Sequence, residues 1–256
     1  MKIFITSIVP ALNEEKAILL VIDNILSAFK EFNLSGEIII INDGSTDSTA
    51  QLVERKMKEN PNVIRLINHD KPEGIGASFW DGVDMASGDA VVLIPGDNEN
   101  DPREILRYYR LLDDVDIIIP FVFNKEVRSF SRNLLSFFYL FVVNLTFSVN
   151  FNYTNGTILY RKSLLKKIDC RRNDFFFQTD ILIRLVKKGY LFAEVPSKLS
   201  LRVGGASKAT ALNSLWRIFK GYLRLIKDYY FKKEKKTKVD LAADSITAAR
   251  RKAFIN

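Results

Sequence analysis

The chain has 256 residues, a formal net charge of +8 and a hydrophobic fraction of 47%. This length and composition are typical of one large α/β domain with an appendage, and they exclude a disordered or fibrous protein. The excess of Lys and Arg over Asp and Glu indicates a polyanionic partner, which could be a nucleic acid, a phosphorylated ligand or an anionic lipid.

A single cysteine and a single histidine limit the possible chemistry. Cys170 has no second cysteine with which to form an intramolecular disulfide, and His69 alone cannot build a His-rich zinc site. We therefore expect both residues to be structural and the compartment to be reducing. The apolar run at residues 3–9 is too short for a signal peptide and lacks a small-residue cleavage site. We interpret it as the first strand.

Three short runs, at residues 3–9, 37–41 and 90–94, are rich in β-branched residues and nearly all apolar. Such runs are typical of strands that are covered on both faces of a parallel sheet. The apolar spacing over residues 14–32 predicts a helix between the first two strands, with Asn13 as its N-cap.

A second helix over residues 48–58 and a further strand over residues 63–67 precede the third apolar run. The resulting order, βαβαβαβ, predicts an α/β fold with a mostly parallel, doubly wound sheet. Ligands of such sheets bind beyond the carboxyl ends of the strands, so the segments that follow each strand are the candidate site.

These segments carry carboxylates. Residues 10–15 (PALNEE), 42–49 (NDGSTDST) and 95–102 (PGDNENDP) follow the three apolar strands. An aspartate at a strand end, such as Asp43, can accept hydrogen bonds from a base N–H and a ribose hydroxyl. The alternative is a turn with an N-cap, because Asp, Gly, Ser and Thr are frequent in both.

Asp97 and Glu99 form a D-x-E pair just past the third strand. In an extended segment this spacing lets both carboxylates face the same way and hold a hard cation such as Mg²⁺ or Mn²⁺. The cation could hold a diphosphate and stabilise it as it leaves. The alternative is an exposed acidic turn.

Gly74 and Gly76 superficially suggest a dinucleotide-binding fingerprint. They do not directly follow a clear strand, and the full glycine spacing is missing. We therefore reject a dinucleotide site.

Taken together, these segments resemble those of the family 2 glycosyltransferases and, among them, the dolichyl- or polyprenyl-phosphate sugar transferases. The resemblance covers about residues 3–208. It is carried by segments 9–15, 41–49, 74–82, 87–102, 155–165, 178–180 and 202–208, which follow the family's order. It implies the GT-A (nucleotide-diphospho-sugar transferase) fold and a hexosyltransferase activity.

The resemblance also implies roles for single residues on the donor side. The residues implied to bind the donor nucleotide are Pro10, Leu12, Glu14, Asp43, Asp97 and Lys208, with Asp43 reading the base. Asp97 and Glu99 would bind Mg²⁺ or Mn²⁺ and the diphosphate. One departure is Pro95, which stands where the family has the first Asp of a D-x-D motif.

Asp180, Arg202 and Asp97 are the predicted catalytic residues. If the acceptor is a hydroxyl group, Asp180 would serve as the general base; a phosphate acceptor is already ionised, and Asp180 would then orient a substrate. The alternative for Asp180 is a first-turn acid of a helix over residues 181–186. Arg202 and Lys208 flank two glycines in a loop that could close over the diphosphate, with a surface loop as the alternative.

Residues 134–151 approach the length of a transmembrane helix. A single span would leave Asp97 and Arg202 on opposite sides of the bilayer, and the run contains polar residues. We therefore favour helices that are partly buried against the domain and partly inserted into the lipid interface. A membrane span is the alternative.

Arg128, Arg132 and Ser136 are spaced four residues apart, which predicts that they share one helix face. A basic patch beside an apolar surface suits a lipid phosphate, although a plain surface helix is possible. The family resemblance implies that Arg132 and Ser136 contact the acceptor phosphate, with Arg128 in place of an additional upstream arginine.

We predict a catalytic domain at residues 1–210 and a basic amphipathic helical extension at residues 211–256. The extension has an apolar helix face and a basic face that includes Arg217 and Arg224, and residues 232–236 are lysine-rich. This pattern is typical of attachment to an anionic membrane surface, and a helix packed on its own domain is the alternative. We expect a cytoplasmic protein, peripherally associated with the membrane, and no nucleic-acid partner, because the aromatic and basic residues are not interleaved.

Three functions are therefore open. The first is an inverting transfer from a UDP- or GDP-sugar to a polyprenyl (dolichyl or undecaprenyl) phosphate. The second keeps the donor but uses a saccharide or lipid-linked sugar hydroxyl as acceptor, with Asp180 as base. The third is a nucleotide-sugar-binding protein that has lost turnover, which Pro95 motivates.

Overall fold

The centre of the molecule is one mixed β-sheet. The computed structural model describes residues 4–199, 212–231 and 240–255. In this part of the chain the strands are β1 Phe4–Ala11, β2 Ser35–Asn42, β3 Ile64–Asn68, β4 Ala90–Leu93, β5 Ile117–Val122, β6 Leu159–Arg161 and β7 Phe192–Ser197. Their order across the sheet is β3-β2-β1-β4-β6-β5-β7.

Only β6 runs antiparallel to its neighbours in the described sheet, β4 and β5; the other pairs are parallel. The predicted α/β fold with a mostly parallel sheet is therefore confirmed. The register of β1 and β2 pairs Ala11 with Asn42, so the two strands end side by side. Leu12 and Asp43, the next residues of each strand, are thereby brought to the same edge.

Helices cover both faces of the sheet. They are α1 Ile18–Glu31, α2 Thr49–Glu59, α3 Ile75–Met85, α4 Arg103–Leu106, α5 Phe130–Phe147, α6 Lys162–Leu165, α7 Phe177–Lys187, α8 Leu212–Ile226 and α9 Ile246–Ile255. The alternation of side chains along β2 sends Ile38 and Ile40 into the core under α1, and Ile39 and Ile41 into the core under α3 and α7. This double coverage explains why the central strands are apolar throughout.

The predicted start of the first helix is wrong. Helix α1 begins at Ile18, and its N-cap position is occupied by Ala17, which makes no side-chain cap. Asn13 instead adopts the left-handed conformation, with φ of 57°. Its Oδ1 accepts a hydrogen bond from the Thr46 amide at 2.8 Å, so Asn13 ties the β1–α1 loop to the β2–α2 loop.

Helix α5 lies along the domain. Val143 and Phe147 are fully buried, whereas Phe137, Phe141 and Leu145 are more than half exposed. Within the described residues α5 is the one helix long and apolar enough to cross a membrane, and little of it is buried inside the protein. The Tyr139 hydroxyl lies 2.6 Å from Thr179 Oγ1 of α7, so Tyr139, Val143 and Phe147 hold the C-terminal half of α5 against the domain, as expected for a helix that is partly buried.

The C-terminal helices share the same core. Leu225 of α8 is 1% exposed, and the Tyr222 hydroxyl lies 2.6 Å from Thr146 Oγ1 of α5. Buried Asp116, just before β5, accepts hydrogen bonds from the amides of Ile246 and Thr247 at the start of α9. The predicted domain boundary at residues 210/211 lies outside the described residues and stays a prediction.

Candidate active site

A cleft of about 1060 Å³ opens at the carboxyl ends of β1, β2 and β4. Five of the residues predicted from the strand ends line it: Pro10, Leu12, Asp43, Asp97 and Glu99. The sheet register brings them together, because β1 lies between β2 and β4. Asp43 after β2 and the Asp97 and Glu99 pair after β4 therefore present their carboxylates to one space, and the end of β1 contributes Pro10 and Leu12.

Asp43 is buried and tightly held. Its Oδ1 accepts a hydrogen bond from the Glu73 amide at 2.8 Å, and its Oδ2 accepts one from the Gly74 amide at 3.0 Å. His69 Nδ1 lies 2.8 Å from the same Oδ1. Two carboxylate oxygens offer about four lone-pair sites, so one remains for a ligand N–H or hydroxyl.

His69 links Asp43 to helix α3. Its Nε2 lies 3.1 Å from Asp81 Oδ2, so both ring nitrogens face carboxylates. Burial lowers the pKa of His69, but the hydrogen bond to Asp43 and the charges of Asp43, Asp81 and Glu73 outweigh burial and raise the pKa above its ordinary value. His69 was expected to be structural, and its structural role is to hold the cleft-lining carboxylate of Asp43 in place.

The segment from Asp97 to Glu99 is a turn, which corrects the predicted extended geometry. Asn98 between them adopts the left-handed conformation, with φ of 56°, and the Glu99 amide donates to Asp97 Oδ1 at 3.1 Å. Asparagine tolerates this conformation better than most residues. Both carboxylates nevertheless line the cleft.

The carboxylates of Asp97 and Glu99 are suitable oxygen ligands for Mg²⁺ or Mn²⁺. Pro95, which also lines the cleft, brings no ligand side chain of its own. A second group of potential ligands is formed by His69, Glu73 and Asp81, whose ligand atoms lie within 4.8 Å of one another. Both ring nitrogens of His69 already face carboxylates, and Glu99 of the first pair also faces Arg132 at 3.5 Å.

Gly74 and Gly76 make room for another loop of the protein. A Cβ on Gly76 would lie 2.2 Å from the carbonyl oxygen of Arg172, and one on Gly74 would lie 2.7 Å from that of Asn173. The Gly76 amide donates to the Asn173 carbonyl at 3.2 Å. The two glycines therefore allow the α6–α7 loop to pack against α3, and this explains the motif without a dinucleotide.

The α6–α7 loop contributes cleft residues that the sequence interpretation missed. They are Arg171, Arg172, Asn173, Asp174 and Phe175. Arg171 pairs with Asp84 at 2.8 Å and stacks over the Trp80 ring. Two consecutive arginines before a helix were the available signal, but nothing in their spacing places them near the strand ends.

Asp180 is not among the residues that line the cleft. It lies in the first turn of α7, is 1% exposed, and accepts hydrogen bonds from Arg184 at 2.9 Å and from Arg172 at 3.4 Å. Asp228, in the π-helical turn after α8, lies 3.0 Å from Arg172 and 2.9 Å from Arg184. Two carboxylates and two guanidinium groups thus join α7, α8 and the cleft residue Arg172.

The three predicted acceptor residues do not lie together at the cleft. Arg132 lines the cleft, with its guanidinium 3.5 Å from Glu99 Oε1. Ser136 is one turn further along α5 and is not a lining residue. The predicted shared helix face is wrong for Arg128, because Ser129 caps the helix and leaves Arg128 in extended backbone before it. Its guanidinium lies over the ring of Tyr153 instead.

Three other predicted site residues lie elsewhere. Glu14 follows β1 and is absent from the cleft lining; its amide donates to Thr49 Oγ1 at 2.9 Å. Arg202 and Lys208 lie outside the described residues.

Helix α8 adds Arg217 and Arg224 to the lining. The sequence interpretation had placed both on the basic face of an amphipathic helix, for which it left open membrane attachment or packing on the domain.

Comparison with known proteins identifies the family. The model of glycosyl transferase family 2 matches residues 6–169. A polyprenol monophosphomannose synthase of Mycolicibacterium smegmatis is 26% identical in an alignment of 239 residues that covers 83% of each chain. A dodecaprenyl-phosphate galacturonate synthase of Rhizobium johnstonii is 24% identical over 164 residues, 63% of this chain and 48% of the relative.

Solved structures agree on the fold. Glucosyl-3-phosphoglycerate synthase of Mycobacterium tuberculosis in complex with uridine diphosphate superposes with a TM-score of 0.61 and 18% identity. The match covers 88% of this chain and 79% of that chain. Together with the cleft of strand-end carboxylates, these findings lead to one conclusion: the chain belongs to glycosyl transferase family 2 and is a glycosyltransferase with the GT-A fold.

Proposed function

We propose that this glycosyltransferase moves a sugar from a UDP- or GDP-sugar to a polyprenyl phosphate at a membrane surface, with inversion at the anomeric carbon. The observation that carries the proposal is the shared cleft, in which the acids at the ends of β2 and β4 face the same space as Arg132 of the apolar helix α5. The names of two relatives, both of them synthases of polyprenyl-phosphate sugars, support the same acceptor class.

The donor nucleotide would bind along the ends of β1 and β2. Asp43 has one lone-pair site left for a base N–H or a ribose hydroxyl, and Pro10 and Leu12 offer an apolar edge beside it. Because the sheet and the 69–74 loop fix the Asp43 carboxylate, it needs no reorganisation on binding. This preorganisation supports a role in reading the base.

The acceptor phosphate would bind near Arg132. A guanidinium group at the end of an exposed apolar helix can hold an anion while the lipid chain lies on the apolar residues. An ionised phosphate oxygen would attack the anomeric carbon, the bond from that carbon to the donor diphosphate would break, and the nucleoside diphosphate would leave. Direct displacement of this kind inverts the anomeric centre and needs no general base.

A divalent cation fits the donor side of the cleft. Asp97 and Glu99 would hold Mg²⁺ or Mn²⁺, which would neutralise charge on the leaving diphosphate. The structural relative binds Mn²⁺ together with UDP, which supports a divalent ion in this fold. Arg202 and Lys208, which lie outside the described residues, would neutralise charge on the diphosphate.

The membrane contact would be an exposed apolar surface of α5 and α8. Its residues include Phe130, Phe137, Phe138, Phe141, Leu145, Trp216, Phe219 and Leu223. Large exposed apolar residues grouped on two helices are typical of an interaction site. The inward contacts of Val143 and Phe147 favour a helix that lies in the interface over one that crosses the bilayer, and they support a peripheral association with the membrane.

The position of Asp180 bears on the choice of acceptor. A general base must reach the proton that it removes, but this carboxylate is buried and held by two arginines. A positioning role through Arg172 fits this geometry better. The phosphate acceptor is therefore preferred over a saccharide hydroxyl.

A thermal-shift panel followed by a transfer assay tests the proposal. We expect UDP- or GDP-sugars to raise the melting temperature, more so with Mn²⁺, because a ligand that binds only the native state stabilises it. Purified protein should then convert prenyl phosphate and the stabilising donor into prenyl-phosphate sugar. Donor binding without any transfer would favour the turnover-deficient alternative, and transfer only to hydroxyl acceptors would overturn the proposed acceptor.

A further inference from the structure

Helix α8 forms a wall of the cleft and contributes two arginines to it. Arg217 and Arg224 both line the cleft. They are seven residues apart, so their side chains point in directions that differ by only about 20° and are separated by about 10 Å along the helix. The two guanidinium groups therefore face the cleft from the same side of α8.

The position of α8 is fixed by packing. Leu225 is buried in the main core, and Tyr222 hydrogen-bonds to Thr146 of α5. Gly221 allows close contact with α7, because a Cβ there would lie 2.8 Å from Cβ of Phe176. One turn after Arg224, Asp228 pairs with Arg172 and Arg184. The packing of α8 therefore fixes the position of the backbone that carries Arg217 and Arg224.

Arg217 and Arg224 differ from the other arginines of the cleft in their electrostatic environment. Arg132 faces Glu99, Arg171 faces Asp84, and Arg172 faces both Asp180 and Asp228. Within the described ranges, neither Arg217 nor Arg224 has a carboxylate within ion-pair distance. Two guanidinium groups that no carboxylate of the described residues compensates form an environment that suits an anion, and arginine can bind a phosphate through two parallel hydrogen bonds.

The apolar neighbours of this pair indicate which phosphate it would take. Trp216 and Leu223 directly precede the two arginines in sequence and are 56% and 47% exposed. They lie about 100° further around the helix, toward solvent. The pair therefore lies at the boundary between the polar cleft and the exposed apolar surface, where the headgroup of a lipid would be if its chain lay on that surface.

We propose that Arg217 and Arg224 form an anion-binding pair that contacts the phosphate of the lipid acceptor from the α8 side of the cleft. This inference rests on the proposed function, since it assigns the pair to that acceptor. It predicts that the pair affects acceptor binding and leaves donor binding unchanged. It also gives a specific role to two residues that the sequence had assigned only to the basic face of an amphipathic helix.

The test is a double variant, Arg217→Gln with Arg224→Gln, in the full chain in neutral detergent micelles. We expect the KM for a short-chain prenyl phosphate to rise at least tenfold, while the thermal shift produced by the donor stays as in the wild type. Direct binding of prenyl phosphate should weaken to the same extent. Prenol without the phosphate should bind equally weakly to both proteins.

Lys220→Gln is the matched control, because it removes one positive charge from the same helix. Lys220 is absent from the cleft lining, and its ammonium group lies 5.2 Å from the centre of the Trp216 ring. Its KM for the acceptor should stay within twofold of the wild type. The double variant Arg217→Lys with Arg224→Lys keeps the charges and should recover part of the acceptor affinity.

Each adverse result has a distinct meaning. An acceptor KM in the double variant equal to that of Lys220→Gln would overturn the inference and leave the proposed function intact. Loss of the donor-induced thermal shift would also overturn it, because the pair would then bind the donor diphosphate. If the wild type itself neither binds prenyl phosphate nor transfers sugar to it, the proposed function fails, and the inference fails with it.

Discussion

The two sides of the cleft are built in different ways. On the strand side the functional groups are acids at the ends of β2 and β4, such as Asp43, which is 5% exposed and held by two backbone amides. On the helix side they are arginines of α5, the α6–α7 loop and α8, such as exposed Arg224. The strand side is therefore positioned by the sheet itself, whereas the helix side depends on how separate helices pack together.

This difference suggests a division of labour. Rigid carboxylates suit the recognition of a nucleotide and a cation, because both need fixed geometry. Arginines beside an exposed apolar surface suit a lipid phosphate, which must enter from a membrane. Substitutions on the two sides should then affect different substrates.

The largest effect is expected on the strand side, for Asp97→Asn. Loss of a carboxylate that neutralises the leaving diphosphate through a cation should lower kcat by about 100-fold or more. Steady-state kinetics over a Mn²⁺ titration would measure this. Asp101→Asn is the control, since Asp101 pairs with Arg103 outside the cleft lining and should change kcat less than threefold. Equal effects of both substitutions would remove Asp97 from the catalytic residues.

Asp43→Ala should act on the donor. The amides of Glu73 and Gly74 lose their acceptor, and the base loses its contact, so we expect donor affinity to fall by about 10- to 100-fold, or about 1.4 to 2.8 kcal/mol. The donor-induced thermal shift would report this, with the acceptor KM unchanged. Exposed Asp70, in the same loop region but outside the cleft lining, provides the control substitution Asp70→Ala. A full donor shift in Asp43→Ala would refute the base-reading role.

The first prediction for the helix side concerns the exposed apolar residues of α5. Replacing Phe137 and Phe141 by Ser should weaken binding to anionic lipid vesicles at least tenfold, because each buried Phe contributes about 1.5 to 3 kcal/mol. Vesicle co-sedimentation measures this, and donor-induced thermal shifts should not change. Leu20→Ser is the control on α1, where Leu20 is comparably exposed. Equal binding by all three proteins would show that this surface does not contact lipid.

The substitution Asp180→Asn distinguishes two roles for Asp180, a general base and a positioning residue. As a base, Asp180 should contribute about 10²- to 10⁴-fold to the rate. We expect instead a loss of less than tenfold, together with a fall in the free energy of unfolding of the order of 3 kcal/mol, because a buried ion-pair partner is lost. Asp228→Asn is the matched control, since Asp228 contacts the same two arginines. A far larger rate loss in Asp180→Asn than in Asp228→Asn would restore the hydroxyl acceptor.

The smallest expected effect concerns His69 and pH. The pKa of His69 is raised in the folded protein, so its stabilising contribution is fully present below its unfolded pKa of about 6.5 and is lost as pH rises through the higher folded value. The melting temperature of the wild type should therefore exceed that of His69→Gln most at pH 6, and the difference should shrink toward pH 9. A difference that is constant over this range would mean that the ionised imidazole has no part in holding Asp43.

The strand side could largely be predicted from the sequence. Apolar runs and the segments after them predicted the order of β1, β2 and β4 and the convergence of Asp43, Asp97 and Glu99. The details were wrong where a polar side chain has a partner far along the chain. Asn13 bonds to Thr46 and joins two loops instead of capping α1, and Asn98, which accepts a hydrogen bond from Asn24, turns the D-x-E segment. Such choices depend on contacts across more than 30 residues of sequence.

The helix side could be predicted only in part. The spacing placed Arg132 on an apolar helix, but Arg128 lies outside that helix because Ser129 caps it. Nothing in the pattern distinguished Arg217 and Arg224, which line the cleft, from basic residues that face solvent. An amphipathic pattern identifies the faces of a helix but does not indicate what each face meets.

By itself, the sequence determined the α/β class, the family and the strand-end carboxylates, because the period of apolar residues and the rules of parallel connections depend on local order. Only the tertiary structure decided that α8 forms a wall of the cleft and that Asp180 is buried between two arginines. It also decided that the α6–α7 loop packs against Gly74 and Gly76. These arrangements arise from the packing of elements that are far apart in the chain, and such packing is fixed by shape and burial across the whole core.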